Sequence, residues 1–309
     1  MKLLAICAGR KMGNSEIVVK EVLMTAEDLG AEVRMINLSD FVINPCTGCE
    51  NCVMMISKGK KPKCVHEDKD DYDRIMKAMW DSDGVIYGVP TYELQTPGLF
   101  KLFANRFLPY DPAFLHAANI IDRIPERVGA IIATGGSTQA WMTMTLPGLY
   151  ISMWVHCIKV VDQLMVTGVG RPGHAVLKKD ALLKAKKMGE NIVQAMSMPL
   201  NDVTWLGEDK GWCPICHSNL ILKGKPHWDG ECYQVECAVC GAGGHLKEES
   251  GDYLFIVDER SLRKNRLKRE GQIEHLGEIQ NHMKEFFSST NEVQEKIKKY
   301  KTYLVSGID

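Results

Sequence analysis

From Lys2 to about Met198, short and nearly unbroken apolar runs alternate with longer stretches whose apolar residues recur at helical spacing. The first pair sets the pattern. Leu3-Leu4-Ala5-Ile6-Cys7 precedes residues 15–29, where Ile17, Val18, Val22, Leu23, Ala26 and Leu29 share one helical face. Further strands are predicted over 32–38, 84–89, 128–133 and 160–166. Further helices are predicted over 70–80, 97–107, 147–156 and 175–196, with Pro97 in a first turn. Strands apolar throughout must be covered on both faces, and helical crossovers between them make the sheet parallel. Five strands and five helices in this stretch predict one doubly wound α/β domain over 1–200.

After Asn201 the chain turns to Cys, Gly, Trp and short β-type runs (234–235, 253–257), read as a metal-stapled module over 201–258. Residues 259–309 are polar and helical. Ile273, Leu276, Ile279, Met283, Phe286 and Phe287 recur at helical spacing, continued by Val293, Ile297, Tyr300 and Leu304. With 38 Lys+Arg against 39 Asp+Glu in 309 residues and 45% hydrophobic residues, whole-chain disorder and a supercharged nucleic-acid binder are excluded. The opening apolar stretch, 3–8, is too short for a secretory signal, and the most apolar segment, 151–170, is broken by His156, Lys159 and Asp162. A cytoplasmic protein with no membrane contact is expected. In that reducing setting the 11 cysteines read as metal or redox groups rather than disulfides.

Three loops leave carboxyl ends of the predicted strands. Ala8-Gly9-Arg10-Lys11-Met12-Gly13-Asn14-Ser15 opens a helix, where unpaired N–H groups and the positive dipole end suit a phosphate. An ordinary strand-to-helix turn with a serine cap reads equally well, and the loop is neither a P-loop nor the dinucleotide fingerprint. The second loop runs from Gly88 through Pro90, Thr91, Tyr92 and Glu93 to Pro97; the third is Ala133-Thr134-Gly135-Gly136-Ser137-Thr138. In an open sheet of order 2-1-3-4-5, all three would border the ligand crevice.

GRKMGNS, GVPTYELQTPGLFKLFANR and TGG, in this order over roughly residues 1–198, resemble the NADPH-dependent FMN reductase family of flavodoxin-like proteins. The resemblance implies non-covalent FMN, its phosphate held by Arg10, Lys11, Gly13, Asn14 and Ser15. Pro90, Thr91, Tyr92 and Glu93 would line one edge of the ring system, and Thr134, Gly135 and Gly136 another. It also implies a homodimer or homotetramer in which the neighbouring subunit completes the flavin pocket.

Cys46, Cys49, Cys52 and Cys64 give C-x2-C-x2-C-x11-C, a spacing that can wrap a [4Fe-4S] cluster. The motif is similar to that of the iron-sulfur flavoproteins, a branch of the same family with a shorter last interval. Two readings stand side by side, a cluster or reduced surface thiols, with zinc third. Cys213-x2-Cys216 and Cys237-x2-Cys240 have the spacing of a four-thiolate zinc site. A rubredoxin-like iron site competes, but His217 stands where that knuckle favours glycine, so zinc is expected. Cys7 and Cys157 read as core residues and Cys232 as a spare thiol. The basic run Arg260, Arg263, Lys264, Arg266, Lys268 and Arg269 reads as a solvated helix face rather than a nucleic-acid site.

The expected activity is therefore an FMN-dependent oxidoreductase in which NAD(P)H delivers hydride to the flavin, which reduces a planar acceptor. Quinones, nitroaromatics, free flavin and the activated C=C of an enone or flavone-like ring are the acceptor candidates. Proton donors are expected among Tyr92, Glu93, His156 and His116, and lids over the flavin at 109–125 and 141–144. The alternatives are an iron-sulfur flavoprotein fed by ferredoxin and a flavin-binding redox sensor whose zinc ribbon and basic helix bind a partner or nucleic acid.

Overall fold

In a computed structural model that describes residues 1–224 and 231–303, five parallel strands form the sheet β2-β1-β3-β4-β5. They are β1 (Lys2–Cys7), β2 (Glu32–Asn37), β3 (Gly84–Pro90), β4 (Arg127–Thr134) and β5 (Ile158–Val166). Registers such as Ile6 beside Ile36 and Tyr87, and Tyr87 beside Ile131, keep the apolar central strands side by side. Every residue of β4 is buried, as expected of a strand covered on both faces.

One face is covered by α1 (Asn14–Asp28) and α7 (Lys179–Met196), through Val18, Val22, Ala26, Met188 and Ile192. The other face carries α3 (Tyr72–Trp80), α4 (Gly98–Ala104) and α6 (Thr145–Trp154). Here Tyr72, Tyr87, Phe100, Phe103 and Phe107 stack edge to face or tilted, with centroids 4.9 to 6.4 Å apart. Burying aromatics of this size in such pairs is among the larger contributions to a core.

The predicted helix over 97–107 ends earlier, at Ala104, with Pro97 as its N-cap rather than in the first turn. Arg106 leaves the helical path to form a buried ion pair with Asp70. Two short helices were not expected, α2 (Asn51–Ser57) and α5 (Pro112–Ala117). Asp111 caps α5 by accepting from the N–H groups of Ala113 and Phe114, with Pro112 at the first helical position. The helix expected from 175 begins at Lys179, after a 3-10 turn over His174–Leu177.

A second, antiparallel sheet, β6-β7-β8-β9, comprises Ile221–Lys223, Val235–Cys237, Gly243–Glu249 and Asp252–Val257. Val239, Ala242 and Phe255 join the same apolar core as Leu146, Leu149 and Tyr150 of α6, so this module packs directly on the flavodoxin-like layer. After α8 (Glu259–Arg263), the helices α9 (Arg269–Ser288) and α10 (Thr290–Thr302) close the chain. Leu276 and Ile279 of α9 pack against Phe114 and Leu115 of α5, whereas Phe286 and Phe287 are exposed. Leu304, read as part of the helical pattern, lies outside the described residues.

Candidate functional site: three loops and a four-thiolate cage

The three predicted loops meet at the carboxyl edge of the sheet, where β1 and β3 lie side by side while their crossovers diverge to opposite faces. Direct bonds join them. Ser15 Oγ lies 2.8 Å from Thr134 Oγ1, linking the first loop to the third, and both side chains are buried. The Thr91 N–H donates to the Thr134 carbonyl at 2.7 Å, linking the second to the third. A Cβ on Gly9 would lie 2.9 Å from Pro90 Cδ, so the first and second loops touch only because that position has no side chain.

In the first loop the Gly13 N–H turns back onto the Arg10 carbonyl at 2.9 Å, and the Met12 N–H donates to Glu16 Oε2 at 3.1 Å. The backbone N–H groups of Arg10, Lys11, Asn14 and Ser15 have no acceptor among the described residues. Of these, Asn14 and Ser15 open the 15-residue helix α1, where unpaired donors and the positive dipole end suit an anion. Lys11 reaches Asp40 and Arg10 is exposed.

Asn14 has a structural role that its position in the motif does not announce. Its amide donates to the carbonyls of Val169 (2.7 Å) and Arg171 (2.9 Å), and its oxygen accepts from the Ala175 N–H (3.0 Å). The side chain is thus engaged in tying the first loop to the segment after β5, which leaves its backbone N–H as its open donor. Glu16 was overlooked in the sequence. Burial pushes its carboxyl up, but hydrogen bonds from Lys20, the Met12 N–H and Asn37 outweigh that and hold it below the usual range. A glutamate at the third helical position, reaching back to the turn, was the readable signal.

The second loop carries Tyr92 and Glu93 outward. Tyr92 pairs with Gln95 through two backbone bonds, and Glu93 and Leu94 both take left-handed backbone conformations, with φ of 48° and 67°. Thr91 Oγ1 meets Thr145 Oγ1 at 2.8 Å, fixing this loop to α6. In the third loop a Cβ on Gly136 would come within 3.0 Å of Gly170 Cα, and Gly135 sits on Met142. The 141–144 segment does border the loops: the Met144 N–H donates to the Leu94 carbonyl, and Trp141 and Met144 are exposed beside it.

His156 is not near these loops. It precedes β5 and lies at the amino-terminal edge of the sheet, where Arg127, the first residue of β4, donates to its carbonyl at 3.0 Å. The ring is fully buried against Phe107, and burial, then Arg127, push its pKa down to about 3. A neutral, enclosed imidazole at the wrong end of the sheet cannot protonate a flavin-bound substrate. The predicted lid over 109–125 is displaced for the same reason. Phe114, Leu115 and His116 lie at that edge, with Phe114 over His275 and Arg269 bonded to His116.

Cys213, Cys216, Cys237 and Cys240 are all buried, and their sulfurs lie within 4.8 Å of one another, 3.6 Å for 213 to 240 and 3.5 Å for 216 to 237. A tetrahedron of Zn–S bonds of about 2.3 Å has edges of about 3.8 Å, so the cage fits one tetrahedral ion. Each knuckle ends on a left-handed residue, His217 (φ 59°) and Gly241 (φ 71°). His217 tolerates this because its ring stacks on Trp205 at 4.1 Å and its Nδ1 meets the Lys210 carbonyl at 2.8 Å.

The other four cysteines lie in a more open region, Cys46 and Cys49 exposed, Cys52 and Cys64 half-buried. Cys64 Sγ lies 3.5 Å from Nη2 of Arg106, whose Nη1 pairs with Asp70. The basic run near residue 260 is engaged internally: Arg260 with Glu231, Arg263 with Glu259, Lys264 with Glu274, Arg266 with the Ala238 and Val239 carbonyls. Among the described residues no helix is long and apolar enough to cross a membrane.

Comparisons with known proteins agree with this layout. A solved structure titled flavone reductase superposes with a TM-score of 0.79 over the whole of both chains at 22% identity, which shows a shared fold. A flavone synthase of Aspergillus candidus is 26% identical over 298 residues, covering 91% of this chain and 89% of the relative. An iron-sulfur flavoprotein of Methanocaldococcus jannaschii is 28% identical over 206 residues, 64% of this chain and 98% of the relative. Residues 1–169 match the family model for NADPH-dependent FMN reductases, and the chain belongs to that family.

Proposed function

We propose that this chain is an FMN-dependent NAD(P)H oxidoreductase that reduces a planar, electron-poor acceptor: a quinone, a nitroaromatic, free flavin, or the activated C=C of an enone or flavone-like ring. The observation that carries the reading is the junction of the three loops, with open N–H donors at one end and glycine-lined close approaches at the other. The backbone N–H groups of Arg10, Lys11, Asn14 and Ser15 would hold the phosphate, Gly13 allowing the turn and the Arg10 and Lys11 side chains adding charge. Pro90, Thr91, Tyr92 and Glu93 would border the ring system on one side, and Thr134, Gly135 and Gly136 on another. FMN bound there would supply two-electron redox chemistry linking NAD(P)H to the acceptor.

The chain's own residues orient and shield. Tyr92 and Glu93, both exposed on the second loop, would hold a proton for the acceptor. Tyr92, Leu94, Trp141 and Met144 form an exposed apolar rim, between 42% and 63% accessible, which a second copy of the chain would cover in a homodimer. Zinc in the cage would hold the second sheet against α6. The resemblance of the fold to flavone reductase and of the sequence to flavone synthase supports a flavone-like acceptor among the candidates. Anaerobic turnover tests the proposal: protein containing one FMN per chain should oxidise NADH or NADPH when menadione or a flavone is added, and no oxidation with any planar acceptor would refute it.

One observation favours a second reading, an electron carrier fed by ferredoxin through a [4Fe-4S] cluster on Cys46, Cys49, Cys52 and Cys64. The buried Arg106 guanidinium beside Cys64 would offset the thiolate charge such a cluster requires. Iron and sulfide analysis after anaerobic purification separates the two.

A further inference from the structure

At the amino-terminal edge of the sheet, opposite the three loops, α5, the end of α6 and the first half of α9 border a cavity of about 580 Å³. It shares no lining residue with the loops or with the four-cysteine cage. Leu108, Phe114, Trp154 and Ile279 supply its apolar wall. A space of this size, apolar with a few polar groups, is typical of small-molecule sites.

The polar part of the wall is weighted toward acid: Asp111, Glu236, Glu274 and Glu278 line it together with Lys264, Arg266 and His275. The three basic groups are engaged elsewhere. Lys264 pairs with Glu274 at 2.7 Å, His275 Nδ1 meets Glu278 Oε2 at 2.8 Å, and Arg266 donates to the Ala238 and Val239 carbonyls. Asp111 is left with no ion pair among the described residues, although it is only 6% exposed. Its Oδ1 accepts from the N–H groups of Ala113 (2.9 Å) and Phe114 (3.1 Å). Its Oδ2 accepts from nothing among the described residues, and unlike the sealed Nε1 of Trp154 it opens onto the cavity. Burial pushes this carboxyl up to about 7, the two N–H groups and the nearby His275 pulling it only partway back. A carboxylate ionised at this depth without a counter-charge is costly, and a cation seated in the cavity would remove the cost.

We infer that this cavity binds a small organic ammonium ion with an apolar body, such as an arylalkylamine. The ammonium group donates to Asp111 Oδ2, and the body lies along Leu108, Phe114 and Trp154. The site stands apart from the flavin chemistry and does not depend on the reductase reading. Because its walls come from α5, α6 and α9, a ligand there would tie the carboxy-terminal helix to the flavodoxin-like layer.

Calorimetric titration of the FMN-loaded full chain at pH 8, where Asp111 is ionised, with phenethylammonium, phenethyl alcohol and phenylacetate tests it. The three probes share a phenyl ring and differ in charge. The wild type should bind one ammonium ion per chain at least about tenfold more tightly than the alcohol, the difference made by a charge-assisted hydrogen bond, and the carboxylate more weakly still. Asp111→Asn keeps the α5 cap, and Asp111→Ser caps α5 without a second oxygen. Both should lose the preference for the ammonium ion while FMN and metal content stay at wild-type levels. Equal binding of ammonium and alcohol by the wild type, no binding of the ammonium ion, or a preference that survives either substitution overturns the inference.

Discussion

Replacing Asp70 by Asn removes one charge from the most enclosed ion pair among the described residues. Asp70 and Arg106 are each 1% exposed at the side chain, and Asp70 also accepts from the Asn44 N–H at 2.7 Å and the Tyr72 N–H at 3.2 Å. Arg106 in turn lies 4.2 Å over the Tyr72 ring, donates to the Asn44 carbonyl and reaches Cys64. Asparagine keeps the shape and one acceptor but leaves a guanidinium buried without its counter-charge, which costs about 3–5 kcal/mol. With total stability of about 5–15 kcal/mol, that is a large fraction, and at about 2–4 °C per kcal/mol the midpoint should fall by roughly 10 °C. Pairing Asp70→Leu with Arg106→Met should restore most of the loss, because the double replacement leaves no uncompensated charge.

The pH dependence has a definite sign. Burial pushes the Asp70 carboxyl up, but the Asn44 N–H, Arg106 and the Tyr72 N–H together hold it below its ordinary value. Its stabilisation is present above the unfolded carboxylate pKa and is lost as pH falls through the lower folded one. Thermal unfolding followed by near-ultraviolet circular dichroism from neutral to acid pH reads both effects. An Asp70→Asn midpoint within about 2 °C of wild type at neutral pH would refute the reasoning.

Cys213→Ser should remove the bound metal and unfold the second sheet, since structural zinc supplies on the order of 10 kcal/mol to such a module, while FMN stays on the loops; metal analysis and flavin content check both. Asn14→Ala breaks three hydrogen bonds between the first loop and the segment after β5, and FMN dissociation, followed by flavin fluorescence, should rise about tenfold or more. Burial pushes Asp111 up to about 7, against hydrogen bonds from the Phe114 and Ala113 N–H groups, so its contribution is full below the unfolded pKa and lost as pH rises through about 7. Asp111→Asn keeps the helix cap and should raise stability at pH 8 relative to pH 5 by about 2 kcal/mol or more, measured by urea unfolding at the two values.

The sheet was legible because its strands are apolar along their whole length, a pattern only a two-sided burial produces. The cage was legible for a different reason: four thiols at fixed spacing have few other uses. What escaped the sequence were long-range effects. Arg106 ends its helix early because its partner, Asp70, lies 36 residues away. Asn14 looked like a phosphate ligand, but its side-chain partners lie 155 to 161 residues downstream. His156 drew attention as a polar residue in an apolar segment, yet the direction of the α6 crossover places it at the opposite edge from the loops. Helix α5 could have been read from Asp111-Pro112, a cap followed by a favoured first residue. The sulfurs of Cys213, Cys216, Cys237 and Cys240 converge with no side-chain rearrangement needed, whereas the roles of Cys46, Cys49, Cys52 and Cys64 turn on iron rather than on spacing.

The central claim is hydride transfer from a nicotinamide to FMN held by the three loops. Anaerobic stopped-flow mixing of the FMN-loaded protein with NADH and NADPH, each with hydrogen or deuterium at nicotinamide C4, tests it most directly. The account predicts loss of flavin absorbance with at least one nucleotide, slowed severalfold by deuterium. Flavin that stays oxidised with both nucleotides but bleaches on adding reduced ferredoxin would contradict it.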